Sequence, residues 1–319
     1  MLALVAGLVL AYMAYSRLSR KRPYSGDLTK QRVVILGASS GIGKDLAIQY
    51  ASRGAQLLLL ARRRDQLEDV QSACRAMHAA TTCEIVIGDI TNEIVLSQVV
   101  QATTAVLGGI DVLVLCAGIT SVRPFGSLCE LDTIQSKDMP HATSISSSLI
   151  QQVFATNVYA PMMAVKHFLP ILITHKSQIV VVSSVAGVIA APTRSVYTAS
   201  KHALTGFFNA LRIELAYTGV SVCIVLPGTV NTDFRASAVD SDVPGTATHS
   251  AIAKVADQKR RGGISSEACA AYMIRAADRG DRLVYLPSMY FFAHWAYVVF
   301  PDLVDYFAAM KYGFSRPSV

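Results

Sequence analysis

Charged residues are scarce in this sequence of 319 residues: Asp, Glu, Lys and Arg make up 16%, whereas hydrophobic residues make up 52%. This balance is apolar for a soluble enzyme, so the composition indicates contact with a membrane or a large interface. The six cysteines include no CxxC pair and have no histidine at a zinc-ligand spacing. We therefore expect the cysteines to be small core side chains in a reducing compartment, and we expect no bound metal.

Acidic residues are outnumbered, with 22 against 29 basic residues, and the formal net charge is +7. A basic surplus of this kind can indicate a nucleic-acid partner. Here much of it lies in two short clusters, residues 17–22 and 62–64, and each has a local explanation given below. No basic groove interleaved with aromatic residues is visible, so the sequence disfavours nucleic-acid binding.

The amino terminus has no charged side chain before residue 17 and is almost wholly apolar from Met1 to Tyr15. A signal peptide carries its charge before the apolar run, which is not the order here. About 16 helical residues reach roughly 24 Å, less than the ~30 Å hydrocarbon core, so the segment could span a thin membrane or lie in one leaflet. We expect residues 1–22 to be a membrane anchor in the endoplasmic reticulum, with the main domain facing the cytosol.

Short apolar runs alternate with longer helical segments between residues 28 and 287. The predicted strands are residues 33–36, 57–60, 83–87, 112–116, 178–182, 220–226 and 282–287. The predicted helices between them are residues 44–53, 66–79, 95–107, 150–167 and 195–217. Continuous apolar strands that alternate with helices indicate a parallel sheet covered on both faces. The sequence therefore predicts one α/β domain with a Rossmann-type doubly wound sheet, whose ligands bind at the carboxyl ends of the strands.

Two segments depart from this alternation. Residues 121–148 are polar and rich in Ser and Thr, and we interpret them either as a surface insertion near the carboxyl ends of the strands or as a disordered loop. Residues 288–319 are dense in Tyr and Phe, which favours contact with a membrane. The alternative for this tail is a substrate-pocket helix that also contributes to a dimer contact.

A glycine-rich loop, GASSGIG, follows the first predicted strand. Its first glycine, Gly37, permits a tight turn, and Gly41 lets the backbone approach a pyrophosphate. Gly43 allows the following helix to pack closely on the strand, and the helix amino terminus offers free N–H groups to phosphate oxygens. The position of this loop between a strand and a helix predicts a nucleotide-binding site.

The end of the second predicted strand is basic instead of acidic. An acidic residue there would bind the adenosine ribose and favour NAD, but Arg62 and Arg63 occupy this position. Because a guanidinium can pair with a 2′-phosphate, the expected cofactor is NADP(H); a solvated basic turn is the alternative. Asp89 follows the third strand and is predicted to bond the adenine amino group, unless it is an ordinary turn aspartate.

Tyr197 and Lys201 are four positions apart on a predicted helix and are therefore neighbours on its surface. An ammonium beside a phenol favours the phenolate and lowers the pKa of the tyrosine toward neutral pH. Such a phenol can exchange a proton with a carbonyl or alcohol oxygen while a hydride moves to or from nicotinamide. Ser184, at the end of a strand, is a candidate second donor to that oxygen.

These residues together resemble the short-chain dehydrogenase/reductase family, over roughly residues 30 to 235. The resemblance implies a catalytic set of Ser184, Tyr197, Lys201 and Asn157, in which the asparagine holds a water in a proton relay behind the lysine. It also implies that the segment from Pro227 to Thr232 grips the nicotinamide carboxamide, and that the protein is a homodimer. The implied cofactor-binding residues are Gly37, Ser39, Ser40, Gly41, Ile42, Gly43, Arg62, Arg63, Asp89, Ile90, Ala117, Gly118, Asn157, Tyr197, Lys201, Pro227, Gly228, Val230 and Thr232.

The sequence departs from the family pattern at two positions: Leu36 replaces a threonine, and Cys116 lies where the family has an asparagine. The apolar leader and the aromatic tail resemble a membrane-bound branch that includes microsomal hydroxysteroid dehydrogenases, 3-ketodihydrosphingosine reductase and the dehydrogenase/reductase 7 group. This implies an NADPH-dependent oxidoreductase that interconverts a ketone and an alcohol on a steroid, retinoid or long-chain lipid. The alternative, favoured slightly by Cys116, is a nucleotide-binding scaffold or redox sensor with little turnover.

Overall fold

The apolar runs of the sequence form one parallel sheet in a computed structural model, which describes residues 27–78, 81–122, 124–126, 145–234, 238–239 and 263–312. Within these residues seven strands pair in the order β3-β2-β1-β4-β5-β6-β9. The strands of this sheet are β1 (Arg32–Leu36), β2 (Gln56–Ala61), β3 (Cys83–Ile87), β4 (Val112–Leu115), β5 (Gln178–Val182), β6 (Ser221–Pro227) and β9 (Leu283–Leu286). Two short strands, β7 (Val230–Asn231) and β8 (Ile264–Ser265), pair separately.

Helices cover both faces of the sheet because each strand sends side chains to both sides. The helices are α1 (Gly41–Ser52), α2 (Arg64–Met77), α3 (Glu93–Ala102), α4 (Ile145–Phe154), α5 (Ala160–His175), α6 (Ser195–Glu214), α7 (Ser266–Asp278), α8 (Met289–Val299) and α9 (Pro301–Tyr312). Tyr50 of α1 and Met273 of α7 pack into the core on one face. Phe168 of α5 and Phe208 of α6, both without exposed surface, pack into the core on the other.

The strand order reverses at β1, which pairs with β2 on one side and with β4 on the other. At the carboxyl end of β1, Leu36 lies between Leu60 and Leu115. The loops that leave β1 and β4 there diverge to opposite faces, and they open a crevice at the switch point of the sheet. The predicted Rossmann-type doubly wound fold is therefore confirmed, and its topology fixes where a ligand binds.

Helix boundaries differ from the predicted ones where local sequence is a poor guide. Helix α1 begins at Gly41 instead of residue 44, because the glycines of the loop already form its first turn. The helix predicted for residues 150–167 is longer: α4 and α5 are joined through a π-helical turn, Ala155–Tyr159, which contains Asn157. Helix α7 lies in a stretch for which no element was predicted.

The apolar face of α6 packs in the core, since Leu204 and Leu211 are buried. A homodimer stays a prediction.

Residues 1–22, predicted as a membrane anchor, lie outside the described residues, as do residues 123, 127–144 and 313–319 of the predicted insertion and tail. The localisation predicted from the sequence, anchorage in the endoplasmic reticulum membrane, is corrected. None of the helices in the described ranges is long and apolar enough to cross a membrane. Even the apolar α8 has only 11 residues, about 16 Å of helix, because Pro301 begins a separate helix.

The aromatic tail forms α8 and α9, and these helices contribute no buried residue to the core. They are nevertheless connected to the crevice end of the domain. Tyr290 packs against Gly228, and the Tyr285 hydroxyl lies 2.7 Å from Nδ1 of His294. Helix α8 therefore packs against the segment that follows β6 at the carboxyl end of the sheet.

Candidate active site

The crevice at the carboxyl ends of the strands is a cleft of about 970 Å³. This volume suits a large organic ligand with a second, smaller one beside it. Most of the predicted site residues line it: Gly37, Ser39, Ser40, Gly41, Ile42, Arg62, Arg63, Asp89, Ile90, Ala117, Gly118, Ser184, Tyr197, Lys201, Pro227, Gly228, Val230 and Thr232. The two exceptions are Gly43 and Asn157, which lie behind the wall. The fold thus brings residues from the whole predicted set to one place.

The glycine-rich loop forms a close turn at the floor of the cleft. Gly37 has a φ of +99°, in the region that favours glycine, and a Cβ on it would collide with the backbone of Ala117. A Cβ on Gly43 would collide with the carbonyl oxygen of Gly37. Helix α1 can therefore begin directly on the loop, with its amino terminus at the cleft. That arrangement leaves backbone N–H groups available to the phosphate oxygens of a dinucleotide.

A basic subsite lies at the β2 end of the cleft. Nη2 of Arg63 donates to Oγ of Ser39 at 2.9 Å and to Oγ of Ser40 at 2.6 Å. These bonds hold the guanidinium over the glycine-rich loop. Arg62 has 62% of its side chain accessible, and its Nη1 lies 3.5 Å from Oδ2 of Asp89. Two guanidinium groups thus face the position where an adenosine ribose would be bound.

Asp89 is used chiefly by its own turn. Its Oδ1 accepts hydrogen bonds from the backbone N–H of Thr91 at 2.9 Å and from the Thr91 hydroxyl at 2.8 Å. Partial burial raises the pKa of this carboxyl, but the two Thr91 bonds and the charge of Arg62 outweigh burial and lower the pKa overall. Asp89 therefore stabilises a turn, which is the alternative that the sequence left open. The carboxylate also lines the cleft, so a bond to adenine stays a prediction.

Tyr197 and Lys201 lie on the first turns of α6, and both side chains are buried. Nζ of Lys201 is 5.8 Å from the centroid of the Tyr197 ring and donates to the carbonyl oxygen of Val182 at 3.1 Å. Burial lowers the pKa of Lys201 to about 8, because the ammonium loses hydration that one carbonyl replaces only partly. At neutral pH the lysine is a cation beside the phenol.

Asn157 lies behind Lys201, in the π-helical turn that joins α4 to α5, and it is completely buried. Its Oδ1 accepts from the N–H of Ile119, and its Nδ2 donates to the Ile119 carbonyl, both at 2.8 Å. Nδ2 also donates to Oγ of Ser200 at 3.0 Å. The asparagine thus ties the loop after β4 to the helix that carries Tyr197 and Lys201.

Ser184 lies two residues after the end of β5, on the wall of the cleft and near the end of β6. Its Oγ accepts from the N–H of Ala186 at 3.1 Å and lies 3.4 Å from the carbonyl oxygen of Pro227. The hydroxyl is therefore held at the same sheet edge as Tyr197. Two hydroxyl groups and one ammonium at this edge can hydrogen-bond a substrate oxygen and exchange a proton with it.

Two residues that the sequence reasoning missed also line the cleft beside Tyr197. The ring of Phe234 meets the Tyr197 ring edge to face, with centroids 6.1 Å apart. Arg194 lies one turn before Tyr197, and its Nη2 donates to the Tyr312 hydroxyl at 3.4 Å. The position of Arg194, three residues before Tyr197, could have marked it in the sequence as a site residue, whereas nothing in the sequence distinguished Phe234.

Comparisons with known proteins agree with this arrangement. A model of the short chain dehydrogenase family matches residues 31–242. The 11-beta-hydroxysteroid dehydrogenase-like 4A of Arabidopsis thaliana is 32% identical over 273 residues, which are 85% of this chain and 81% of that protein. A dehydrogenase/reductase SDR family protein 7-like of Anopheles gambiae is 30% identical over 312 residues, 96% of this chain and 89% of that protein.

A solved structure matches at the level of the fold. It is a short chain dehydrogenase/reductase of Burkholderia phymatum in complex with NAD, with a TM-score of 0.72 and 21% identity. The match covers 86% of this chain and 94% of that one. The match of the family model to residues 31–242 and the relatives that are at least 30% identical confirm the predicted resemblance, over a region that contains the glycine-rich loop, Tyr197 and Lys201.

Proposed function

The chain belongs to the short-chain dehydrogenase family, and on that basis we propose that it is an NADPH-dependent oxidoreductase that interconverts a ketone and a secondary alcohol on a lipophilic small molecule. Membership of the family accounts for the oxidoreductase class and for a nicotinamide cofactor. One observation carries the proposed reaction: Tyr197, Lys201 and Ser184 lie on the wall of one cleft, whose floor is the glycine-rich loop. Proton transfer and dinucleotide binding thus share one site.

The residues of the chain divide the work of the reaction. The bound nicotinamide supplies or accepts the hydride. In the reductive direction Tyr197 donates a proton to the substrate oxygen, and Ser184 donates a hydrogen bond to the same oxygen. The ammonium of Lys201 stabilises the phenolate that Tyr197 becomes. Asn157 keeps the loop after β4 in register with α6, so that the tyrosine and the lysine keep their relative positions.

The preference for NADPH rests on Arg63 and Arg62. The residue after β2 is a guanidinium where an NAD-specific enzyme has a carboxylate. Arg63 is held in place by two serine hydroxyls of the glycine-rich loop, which supports a role in binding a 2′-phosphate. Arg62 adds a second, exposed charge at the same end of the cleft.

Replacing Arg63 by alanine is expected to raise the KM for NADPH by about 10- to 100-fold, since a charge-assisted hydrogen bond contributes about 1.5–3 kcal/mol. The KM for NADH is expected to stay within about threefold, because NADH has no 2′-phosphate. Initial rates with each cofactor give the two KM values and the ratio of the KM for NADPH to the KM for NADH. Arg64→Ala is the matched control, since Arg64 belongs to the same turn but pairs with Glu68. An unchanged NADPH-to-NADH ratio in the Arg63 variant would contradict the assignment.

The lipophilic substrate is supported by the apolar surroundings of the cleft entrance. Phe234 and Ile119 line the cleft beside Tyr197. Helices α8 and α9, with Phe300 between them, expose large apolar side chains and contact the cleft wall through Tyr290 and Tyr312. These exposed side chains are Met289, Phe291, Phe292, Trp295, Val298, Val299, Phe300, Leu303, Tyr306, Phe307 and Met310. Several relatives are named for hydroxysteroids, which supports steroid ketones as a first class to test.

The direct test follows NADPH oxidation by the purified chain with steroid ketones, retinal and long-chain ketones. We expect turnover of at least one apolar ketone and none after Tyr197 is replaced. Turnover that is equal in the two proteins would overturn the proposed reaction.

The competing function, a redox sensor, depends on Cys116 and is poorly supported by its surroundings. Burial raises the pKa of this thiol to about 12, and the nearby charge of Lys201 opposes that effect only weakly. Because the thiolate is the reactive form, a protonated thiol is a poor sensor.

A further inference from the structure

Arg194 is a cation in the cleft that the reaction described above does not use. It directly precedes α6, lies three positions before Tyr197, and is half-buried in the wall of the cleft. The hydroxyl of Tyr312, contributed by α9, accepts from its Nη2 at 3.4 Å. Nε of the same guanidinium is buried and has no hydrogen-bond partner in the described part of the chain. Buried N–H groups are normally paired, and an unpaired one costs about 1–3 kcal/mol.

No carboxylate of the described residues neutralises this guanidinium. The acidic residues that line the cleft are Asp45, Asp89 and Asp233, and none of them forms an ion pair with Arg194. Asp89 is paired with Arg62 at the opposite end of the cleft. A partly buried charge that lines the cleft and has no protein counter-ion among the described residues is suited to an anionic group of a ligand.

We propose that Arg194 binds a carboxylate of the substrate, so that the preferred substrate is an oxo acid or hydroxy acid with an apolar body. The inference rests on the proposed function, because it places this carboxylate in the same cleft as the carbonyl that Tyr197 protonates. A guanidinium binds a carboxylate through charge-assisted hydrogen bonds, and Arg194 lines the cleft that holds Tyr197. The Tyr312 hydroxyl accepts a hydrogen bond from Nη2 and so helps to hold the guanidinium in place.

The distribution of cations favours a carboxylate over a phosphate at this end of the cleft. Arg62, Arg63 and Lys44 lie with the glycine-rich loop and α1, where the cofactor phosphates would be bound. Lys201 is committed to Tyr197 and to the carbonyl of Val182. Arg194 is therefore the one lining cation of the described residues left for the substrate, and a single guanidinium matches a singly charged carboxylate.

The test compares terminal oxo fatty acids of increasing chain length with their methyl esters, which keep the carbonyl and the chain but lose the charge. Binding to the NADPH complex of the Tyr197→Phe protein is measured by calorimetry, so that no turnover interferes. We expect the best acid to bind about 10- to 100-fold more tightly than its ester, the range of a charge-assisted hydrogen bond. Arg194→Met is expected to remove this preference, and Arg194→Lys to restore part of it.

Arg275→Met serves as the matched control, because it removes an equal charge from the exposed face of α7, where Arg275 stacks on Tyr272. It is expected to keep the full preference for the acid. Acid and ester that bind equally to the protein with Arg194 would overturn the inference. So would a preference that survives in Arg194→Met, or an equal loss of acid and ester binding in that variant, which indicates a structural role.

The failure of this inference can be told apart from failure of the proposed function. If the parent protein, which keeps Tyr197, reduces apolar ketones but binds the acids no more tightly than their esters, the proposed reaction is supported and the role of Arg194 is contradicted. If the parent protein reduces no ketone but binds the acids more tightly than their esters, the role of Arg194 is supported and the proposed reaction is contradicted.

Discussion

Replacing Tyr197 by phenylalanine is expected to lower kcat about a thousandfold while the affinity for NADPH stays within about twofold, since general acid–base catalysis contributes roughly 10²- to 10⁴-fold. The substitution removes one hydroxyl and leaves the ring in place. The ring keeps its edge-to-face contact with Phe234 and its position near Lys201. The decrease in kcat therefore reflects the lost proton transfer, because the shape of the cleft is unchanged.

Steady-state NADPH oxidation measures kcat, and a fluorescence titration measures the affinity for NADPH. Tyr159→Phe is the matched control: its hydroxyl bonds to Glu93 on an exposed surface between α3 and α5, away from the cleft. That variant is expected to keep full activity. If Tyr197→Phe retains more than about a hundredth of kcat, another group supplies the proton, because a lost general acid costs at least about a hundredfold.

Replacing Lys201 by methionine is expected to have opposite effects on activity and on stability. Activity should fall at least about a hundredfold, because the phenolate of Tyr197 loses its neighbouring cation. The free energy of unfolding of the cofactor-free protein at pH 7 should rise by about 1–2 kcal/mol, since a buried ammonium is costly and methionine has a similar length. The gain is limited because the Val182 carbonyl loses its donor.

The pH dependence of this difference has a definite sign. The pKa of Lys201 is about 8 in the folded protein, against about 10.4 in an unfolded chain. Between these values the unfolded chain binds more protons, so the stability of the protein with Lys201 rises with pH across this window. The cost of the buried charge is complete below about pH 8 and disappears toward about pH 10. The stability gap between Lys201→Met and the parent should therefore narrow as the pH rises.

Thermal unfolding of both proteins at pH 7 and at about pH 10 measures the gap, with about 2–4 °C expected per kcal/mol. Lys166→Met, on the exposed surface of α5, controls for the loss of a lysine and should show no gap of this kind. A Lys201→Met protein that is less stable than the parent at pH 7, or a gap that does not change with pH, would contradict the prediction.

The strands and the glycine-rich loop were predictable from the sequence because their signals are local. A buried parallel strand is a short apolar run, so Val33 to Leu36 and the runs after it predicted the sheet. A close turn against a helix needs glycine at particular positions, and Gly37 and Gly43 occupy them. Tyr197 and Lys201 were predictable as a pair because the spacing of four is set by the helix itself.

Contacts between distant parts of the chain were not predictable, because they depend on how the elements pack. Arg63 was predicted as a cofactor-binding residue, but only the structure shows its bonds to Ser39 and Ser40, which lie 24 and 23 positions earlier in the chain. Asn157 matched a family motif, yet the structure places it behind the wall of the cleft, bonded to Ile119 and Ser200.

By itself, the sequence determined the parallel sheet, the nucleotide-binding loop and the tyrosine–lysine pair of this protein, since each follows from spacing within one element. Only the tertiary structure decided what surrounds Tyr197: Phe234 arrives from the segment after β7, and Tyr312 reaches Arg194 across a sequence separation of 118 residues. No periodicity links positions so far apart. Their contact arises only when α6 and α9 are brought to the same edge of the sheet, and that edge is where the substrate would be selected.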